Sequence, residues 1–303
     1  MKYQLPPKLK VGDGIAVIAP CSAADSDKVE NGLAYLTDRG FMVKIADNLS
    51  NADGYLAGSD EERLSSFINF WKDPEINALF CVRGGYGIQR LLNHLDYDLI
   101  SSNPKILVGY SDISALSAAL LAKSGVVTYS GPMVASDMGG NFDNFSEEML
   151  WRTLMEHPSI SNPKNQPLLV YKKGQAAGNI IGGTLTVLLP YFGTPYMPNL
   201  EGAILVLEDL GENPGRLDRH FHHLRYQGVF DKISGLVLGE FKDCFPDDAD
   251  QFEEFKPILD SALKGYDFPV VMNFAYGHID TRVTLPIGAR ANLTTDPPQF
   301  SLV

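Results

Sequence analysis

Along the first half of the chain, short apolar runs alternate with longer stretches whose apolar residues recur every three or four positions. Gly14-Ile15-Ala16-Val17-Ile18-Ala19-Pro20 reads as a buried strand stopped by its proline, and 41–45, 78–82, 106–108 and 126–129 read as further strands. Helical spacing covers 27–39, 59–71, 88–95, 112–123 and 147–157. Apolar strands separated by helices of this length predict a parallel sheet covered on both faces. Ligands of such sheets bind beyond the carboxyl ends of the strands. Two segments fall there: Arg83-Gly84-Gly85-Tyr86-Gly87 after the third strand and Gly109-Tyr110-Ser111-Asp112-Ile113 after the fourth.

From about residue 168 the pattern changes. Strands are expected at 168–172, 202–207, 235–240 and 269–274, joined by Gly- and Pro-rich turns, with a strand and turn at 284–293. Only 216–227 and 251–263 read as helices. The chain thus divides into an N-terminal α/β domain at 1–140, a polar linker at 141–167 and a smaller β-rich domain at 168–303. It carries no internal repeat and no low-complexity tract.

Composition narrows the class. The 303 residues, 45% of them hydrophobic, suffice for two cores. A net charge of -12 and a pI near 4.9 leave no electrostatic footprint for nucleic acid and disfavour anionic membranes. Cys21, Cys81 and Cys244 are scattered and odd in number, which fits a reducing compartment without disulfides or a zinc knuckle. The first apolar run is too short for a signal peptide, and no stretch reaches membrane-spanning length. The expectation is a soluble, cytoplasmic enzyme with neither nucleic acid nor membrane as partner.

Ser111 is the first candidate for chemistry. A serine on a tight turn between strand and helix is exposed at the top of a sheet, and the following N–H, that of Asp112, sits where a helix start favours negative charge. The same position suits a helix N-cap, and the closing glycine of a G-x-S-x-G elbow is replaced by Ile113. The glycine loop offers unhindered N–H groups to an oxyanion or a phosphate but matches neither the dinucleotide fingerprint nor the Walker loop. Arg83 can fork onto a carboxylate or form a surface ion pair.

Glu208 follows the strand 204–207 and can orient a histidine or face water in an acidic loop; Glu212 is its neighbour and alternative. His278, in Gly277-His278-Ile279-Asp280, has the near-neutral pKa a general base needs. His220 and His223 would share a helix face at a spacing suited to metal, although no H-E-x-x-H motif is present. Cys21 and Cys81 near strand ends are either nucleophiles or small buried hydrophobes.

Taken together, the residues resemble the LD-carboxypeptidase family, serine peptidases that trim murein tetrapeptides and that include the microcin C self-immunity peptidases. The matching segments are Val82-Arg83-Gly84-Gly85-Tyr86-Gly87, Gly109-Tyr110-Ser111-Asp112-Ile113, Gly182-Gly183-Thr184-Leu185, Gly193-Thr194-Pro195-Tyr196, Leu207-Glu208-Asp209, Arg216-Leu217-Asp218-Arg219, Gly277-His278 and Leu285-Pro286-Ile287-Gly288. They cover nearly the whole chain in order. The resemblance implies a flavodoxin-like, class I amidotransferase-like N-terminal domain with a parallel sheet and a C-terminal β-rich swivelling domain. It implies a triad of Ser111, Glu208 and His278 built across the two, with Glu212 as the fallback acid. The N–H groups of Asp112 and of Gly84 or Gly85 would hold the oxyanion, and Arg83 the substrate's terminal carboxylate.

It further implies a small muropeptide substrate, no cofactor, no metal and a homodimer. Ser114 and Ser117 depart mildly from the family and lie on the helix. An immunity peptidase cleaving a peptidyl-nucleotide amide is the alternative within the family. Such relatives are longer between serine and acid, so the compact interval of 97 residues from Ser111 to Glu208 favours murein. A non-catalytic two-lobed binding protein is the alternative of another class, and it leaves the triad without a purpose.

Overall fold

The computed structural model describes residues 3–156, 160–246 and 250–303. Its first sheet contains β1 (Gly14–Ile18), β2 (Met42–Ile45), β3 (Ile76–Cys81), β4 (Ile106–Val108) and β5 (Thr128–Ser130), all parallel, in the order β5-β4-β3-β1-β2. Between them run α1 (Ser26–Asp38), α2 (Asp60–Lys72), α3 (Tyr97–Ser102) and α4 (Ile113–Ser124), and α5 (Asn144–Met155) follows. Local chemistry sets the ends. Asp25 caps α1, Ser59 and Glu62 form a reciprocal capping box on α2, and Gly125 closes α4 in the left-handed region (φ 74°).

The second half supplies β6 (Leu169–Lys172), β7 (Gln175–Thr184), α6 (Leu185–Leu188), β8 (Ile204–Leu210), α7 (Pro214–Tyr226), β9 (Gly235–Lys242), α8 (Gln251–Ala262), β10 (Val270–Met272), β11 (Leu285–Ile287), β12 (Arg290–Thr295) and β13 (Pro298–Leu302). Seven of these strands form a mixed sheet in the order β13-β12-β7-β8-β9-β10-β6. The exception is β11, which pairs antiparallel with β5 and so extends the first sheet: Leu285 faces Ser130, and Ile287 faces Thr128. The second half therefore contributes a strand to the first sheet.

The helix after Ser111 joins both cores. On α4, Ile113, Ala115, Leu116, Ala119 and Leu120 belong to the first apolar cluster, whereas Ala118 and Leu121 belong to the second. Burial all round explains why α4 carries almost no polar face. Fixing this helix between two cores fixes the turn that precedes it.

Three expectations needed revision. The helix expected at 88–95 is two 3₁₀ turns, Ile88–Arg90 and Leu92–His94, because the Ile88 N–H is drawn to Asp112 and Asp96 caps a new helix, α3. The longest strand, β7, lacks alternation and went unanticipated. Its glycines lie against the neighbouring backbone, so that a Cβ at Gly182 would sit 2.0 Å from the Val206 carbonyl oxygen. Finally, β8 runs through Glu208 to Leu210 instead of ending at 207. The expected helix end at His157 and the linker residues Pro158 and Ser159 lie outside the described residues. Among the described residues, no helix is long and apolar enough to cross a membrane.

Candidate active site

Ser111 adopts φ 65°, in the left-handed region where a side chain costs about 1–3 kcal/mol and persists only when its surroundings impose it. They do so here. Gly84 packs directly on it: a Cβ at Gly84 would lie 2.7 Å from the Ser111 Cβ and 3.0 Å from its Oγ. On the other side, the Ser114 N–H donates to the Ser111 carbonyl at 2.8 Å as α4 begins. Asp112 is the N-cap residue of α4, and among the described residues no helix N–H donates to a serine hydroxyl there. The Ser111 side chain instead lines a cleft of about 330 Å³.

His278 lines the same cleft. Its Nδ1 lies 2.8 Å from Glu208 Oε2, and the Glu208 side chain is only 2% exposed. Thr184 Oγ1 donates to the other carboxylate oxygen, Oε1, from directly across the β7–β8 register. Both oxygens of a buried carboxylate are thereby satisfied. An ionised carboxylate only accepts, so against an ionised Glu208 a neutral imidazole would donate from Nδ1 and keep its lone pair on Nε2. The Tyr110 ring and the imidazole pack in a T shape, with centroids 5.1 Å apart. Room for the carboxylate comes from glycine: a Cβ at Gly277 would meet Glu208 Oε2 at 3.0 Å.

Several contacts bring the two halves together at this point. Ser130 Oγ bonds the Tyr276 hydroxyl at 2.8 Å, Ser114 Oγ accepts from the Thr184 N–H at 3.2 Å, and Ser146 Oγ accepts from the Arg282 N–H at 2.8 Å. With β11 paired to β5, these hold the His278 segment over the first sheet.

The glycine loop forms one wall. Gly85 has φ 116°, and a Cβ there would strike Ser22 Oγ at 2.2 Å; the same hydroxyl accepts from the Tyr86 N–H at 3.2 Å. Among the described residues, none accepts a hydrogen bond from the N–H of Gly84, Gly85 or Asp112. The Asp112 side chain turns inward onto the Ile88 N–H at 3.1 Å, and burial raises its carboxyl pKa. Arg83 is exposed at the rim and donates to the Ala23 carbonyl at 3.1 Å. Asp209, also lining the cleft, accepts from the Thr186 N–H at 2.9 Å, and burial pushes its carboxyl up to about 6. A larger groove of about 1,070 Å³, beside β13, contains none of these groups.

Other sequence candidates lie elsewhere. Glu212 is held near His220 at 3.5 Å and Arg216 at 3.7 Å, while Glu208 takes the position beside His278. Glu212→Gln is accordingly expected to leave kcat/KM within about twofold of the wild type, since a long, partly exposed ion pair contributes little; steady-state kinetics checks this. Burial pushes the thiol pKa of Cys21 and Cys81 well up, so neither is a ready thiolate. Sequence reasoning missed Thr184, Tyr110 and Ser22 as parts of the site. The first was visible only within a glycine-rich family segment.

A serine in the left-handed region between strand and helix, sharing a cleft with a histidine–glutamate pair from the second half of the chain, is the arrangement of a serine hydrolase assembled from two α/β halves. Residues 15–131 match the LD-carboxypeptidase N-terminal domain and residues 177–293 the LD-carboxypeptidase C-terminal domain, so the chain belongs to the LD-carboxypeptidase family of serine carboxypeptidases. It is 32% identical to a Bacillus subtilis protein named "Probable murein peptide carboxypeptidase", over 96% of this chain and 91% of that one. Among solved structures it resembles an MccF-like protein from Bacillus anthracis (TM-score 0.92, 29% identity, 99% of both chains covered). It also resembles muramoyltetrapeptide carboxypeptidase from Oxalobacter formigenes (TM-score 0.83, 32% identity, 95% of this chain and 97% of that one).

Proposed function

We propose that this enzyme removes the terminal D-alanine from murein tetrapeptides in the cytoplasm, during recycling of cell-wall fragments, with Ser111, His278 and Glu208 as its triad. The observation that carries the reading is the 2.8 Å His278–Glu208 contact beside a cleft shared with strained Ser111. Nε2 of His278 takes the Ser111 proton as Oγ attacks the carbonyl carbon of the L,D-bond. Glu208 holds the imidazole in the required tautomer and stabilises the imidazolium. Negative charge on the carbonyl oxygen is received by the N–H groups of Asp112 and of Gly84 or Gly85, an arrangement of preorganised donors typically contributing about 3–4 kcal/mol per donor. As the C–N bond breaks, the imidazolium proton passes to the amine of D-alanine, and water then cleaves the acyl-serine by the same base.

Arg83 at the cleft rim is assigned to the substrate's terminal carboxylate, with which its planar fork can pair. The working unit is taken to be a homodimer, as the family resemblance implies. A second reading is cleavage of a peptidyl-nucleotide amide. The high TM-score with the MccF-like structure favours it, and the short interval between Ser111 and Glu208 favours murein. Kinetics with L-Ala-γ-D-Glu-meso-diaminopimelyl-D-Ala and with a peptidyl-nucleotide amide separates the two. The expected result is a kcat/KM at least about tenfold higher for the tetrapeptide, the scale at which a pocket discriminates modestly different groups. Exclusive cleavage of the nucleotide conjugate would overturn the murein assignment.

A further inference from the structure

Arg282 is 6% exposed, an unusual position for a cation unless it is paired. Its Nη2 donates to Asp137 Oδ1 at 2.7 Å, while among the described residues its Nε and Nη1 have no hydrogen-bond partner. The guanidinium instead lies over the face of Tyr110, 4.3 Å from the ring centroid. That same ring meets His278 in a T-shaped contact. Asp137 comes from the turn at 134–138, and its Oδ2 accepts from the Met133 N–H at 2.7 Å. Three segments therefore meet behind the imidazole: the turn before Ser111, the turn at 134–138 and the stretch after His278.

A buried ion pair is weak evidence for stability, because desolvation offsets the attraction between the charges. A guanidinium stacked on an aromatic face gains from the ring quadrupole and orients the ring. We propose that Arg282, neutralised by Asp137, is a positioning residue for the general base: it holds the Tyr110 ring against His278. The inference rests on the triad assigned above.

The charged and titratable groups around His278 include Glu208 and Asp209 from β8, Arg83 across the cleft, Asp137 from the turn at 134–138, Tyr110 from the nucleophile turn, and Asp280 and Arg282 from its own segment. The Asp137–Arg282 pair reaches the imidazole through the Tyr110 ring, which meets both the guanidinium and His278. Asp137→Asn leaves the Arg282 cation uncompensated. A like charge disfavours the imidazolium, so the His278 titration midpoint should fall by about one pH unit. Asp137→Asn combined with Arg282→Met removes both charges and should return the midpoint to the wild-type value.

The midpoint is read by NMR titration of the unliganded protein, with the His278 signal assigned by its loss in His278→Gln. This readout needs no substrate, so an error in the substrate assignment leaves it intact. A folded Asp137→Asn protein with an unmoved midpoint would overturn the proposal. Arg282→Lys provides a second route should Asp137→Asn fail to fold. It keeps the charge and loses the planar stack, so kcat should fall about tenfold with KM nearly unchanged, as expected when a base is mispositioned by a small displacement. An unchanged kcat in Arg282→Lys would equally overturn it.

Discussion

Ser111→Ala is expected to lower the D-alanine release rate by at least about 10⁴-fold while leaving the fold intact, because removing a nucleophile leaves only oxyanion binding and positioning. The backbone makes the prediction sharper. Ser111 sits at φ 65° because Gly84 and the start of α4 close around it, and alanine bears the same Cβ in the same left-handed conformation. The thermal midpoint of Ser111→Ala should therefore match the wild type. Ser111→Gly should be equally inactive yet more stable, by about 1 kcal/mol, since glycine enters this region without strain. Activity and stability thus move in opposite directions at one position, the pattern expected where strain serves a site. Turnover by Ser111→Ala within tenfold of the wild type would remove Ser111 from the mechanism.

Glu208→Gln is expected to lower kcat by about 10³–10⁴-fold with a small change in KM. The replacement is nearly isosteric, and Thr184 Oγ1 can still donate to the remaining carbonyl oxygen. What changes is the partner of His278 Nδ1. An amide NH₂ pointed at that nitrogen favours the tautomer protonated on Nε2, and such an imidazole cannot accept the Ser111 proton. Glu208→Ala adds a structural fault, because Thr184 Oγ1 loses its acceptor in a buried place, and should be less stable as well as inactive. Steady-state kinetics and urea denaturation on both variants separate tautomer from packing. A Glu208→Gln enzyme with normal kcat and raised KM would assign Glu208 to substrate binding.

Much of this was legible in the chain. Short apolar runs separated by amphipathic stretches located every strand of the parallel sheet, because strands buried on both faces leave a simple signal. The turn of Ser111 was legible for the same reason, as a polar residue between a strand and a helix. The order of Ser111, Glu208 and His278, with the surrounding motifs, carried the family resemblance.

The remainder was hidden for physical reasons. Strand β7 is built on glycines required by close backbone approach to β8, and glycine reads locally as a turn. The pairing of Thr184 with Glu208 depends on register between strands 24 residues apart. The allegiance of Leu285–Ile287 to the first sheet depends on β5, more than 150 residues earlier in the chain. Arg282 was not singled out in the sequence, since nothing near it along the chain announces Asp137 or Tyr110. Glu212 stood in the sequence as the fallback for Glu208, and the two part in the fold because β8 runs to Leu210, which keeps Glu208 in the strand and leaves Glu212 in the loop.

The most direct test of the account is mass spectrometry of L-Ala-γ-D-Glu-meso-diaminopimelyl-D-Ala incubated with the wild type and, side by side, with Ser111→Ala. The account predicts loss of a single D-alanine with the wild type and none with the variant. Equal loss with both proteins would contradict the nucleophile, and no loss with either would contradict the murein substrate.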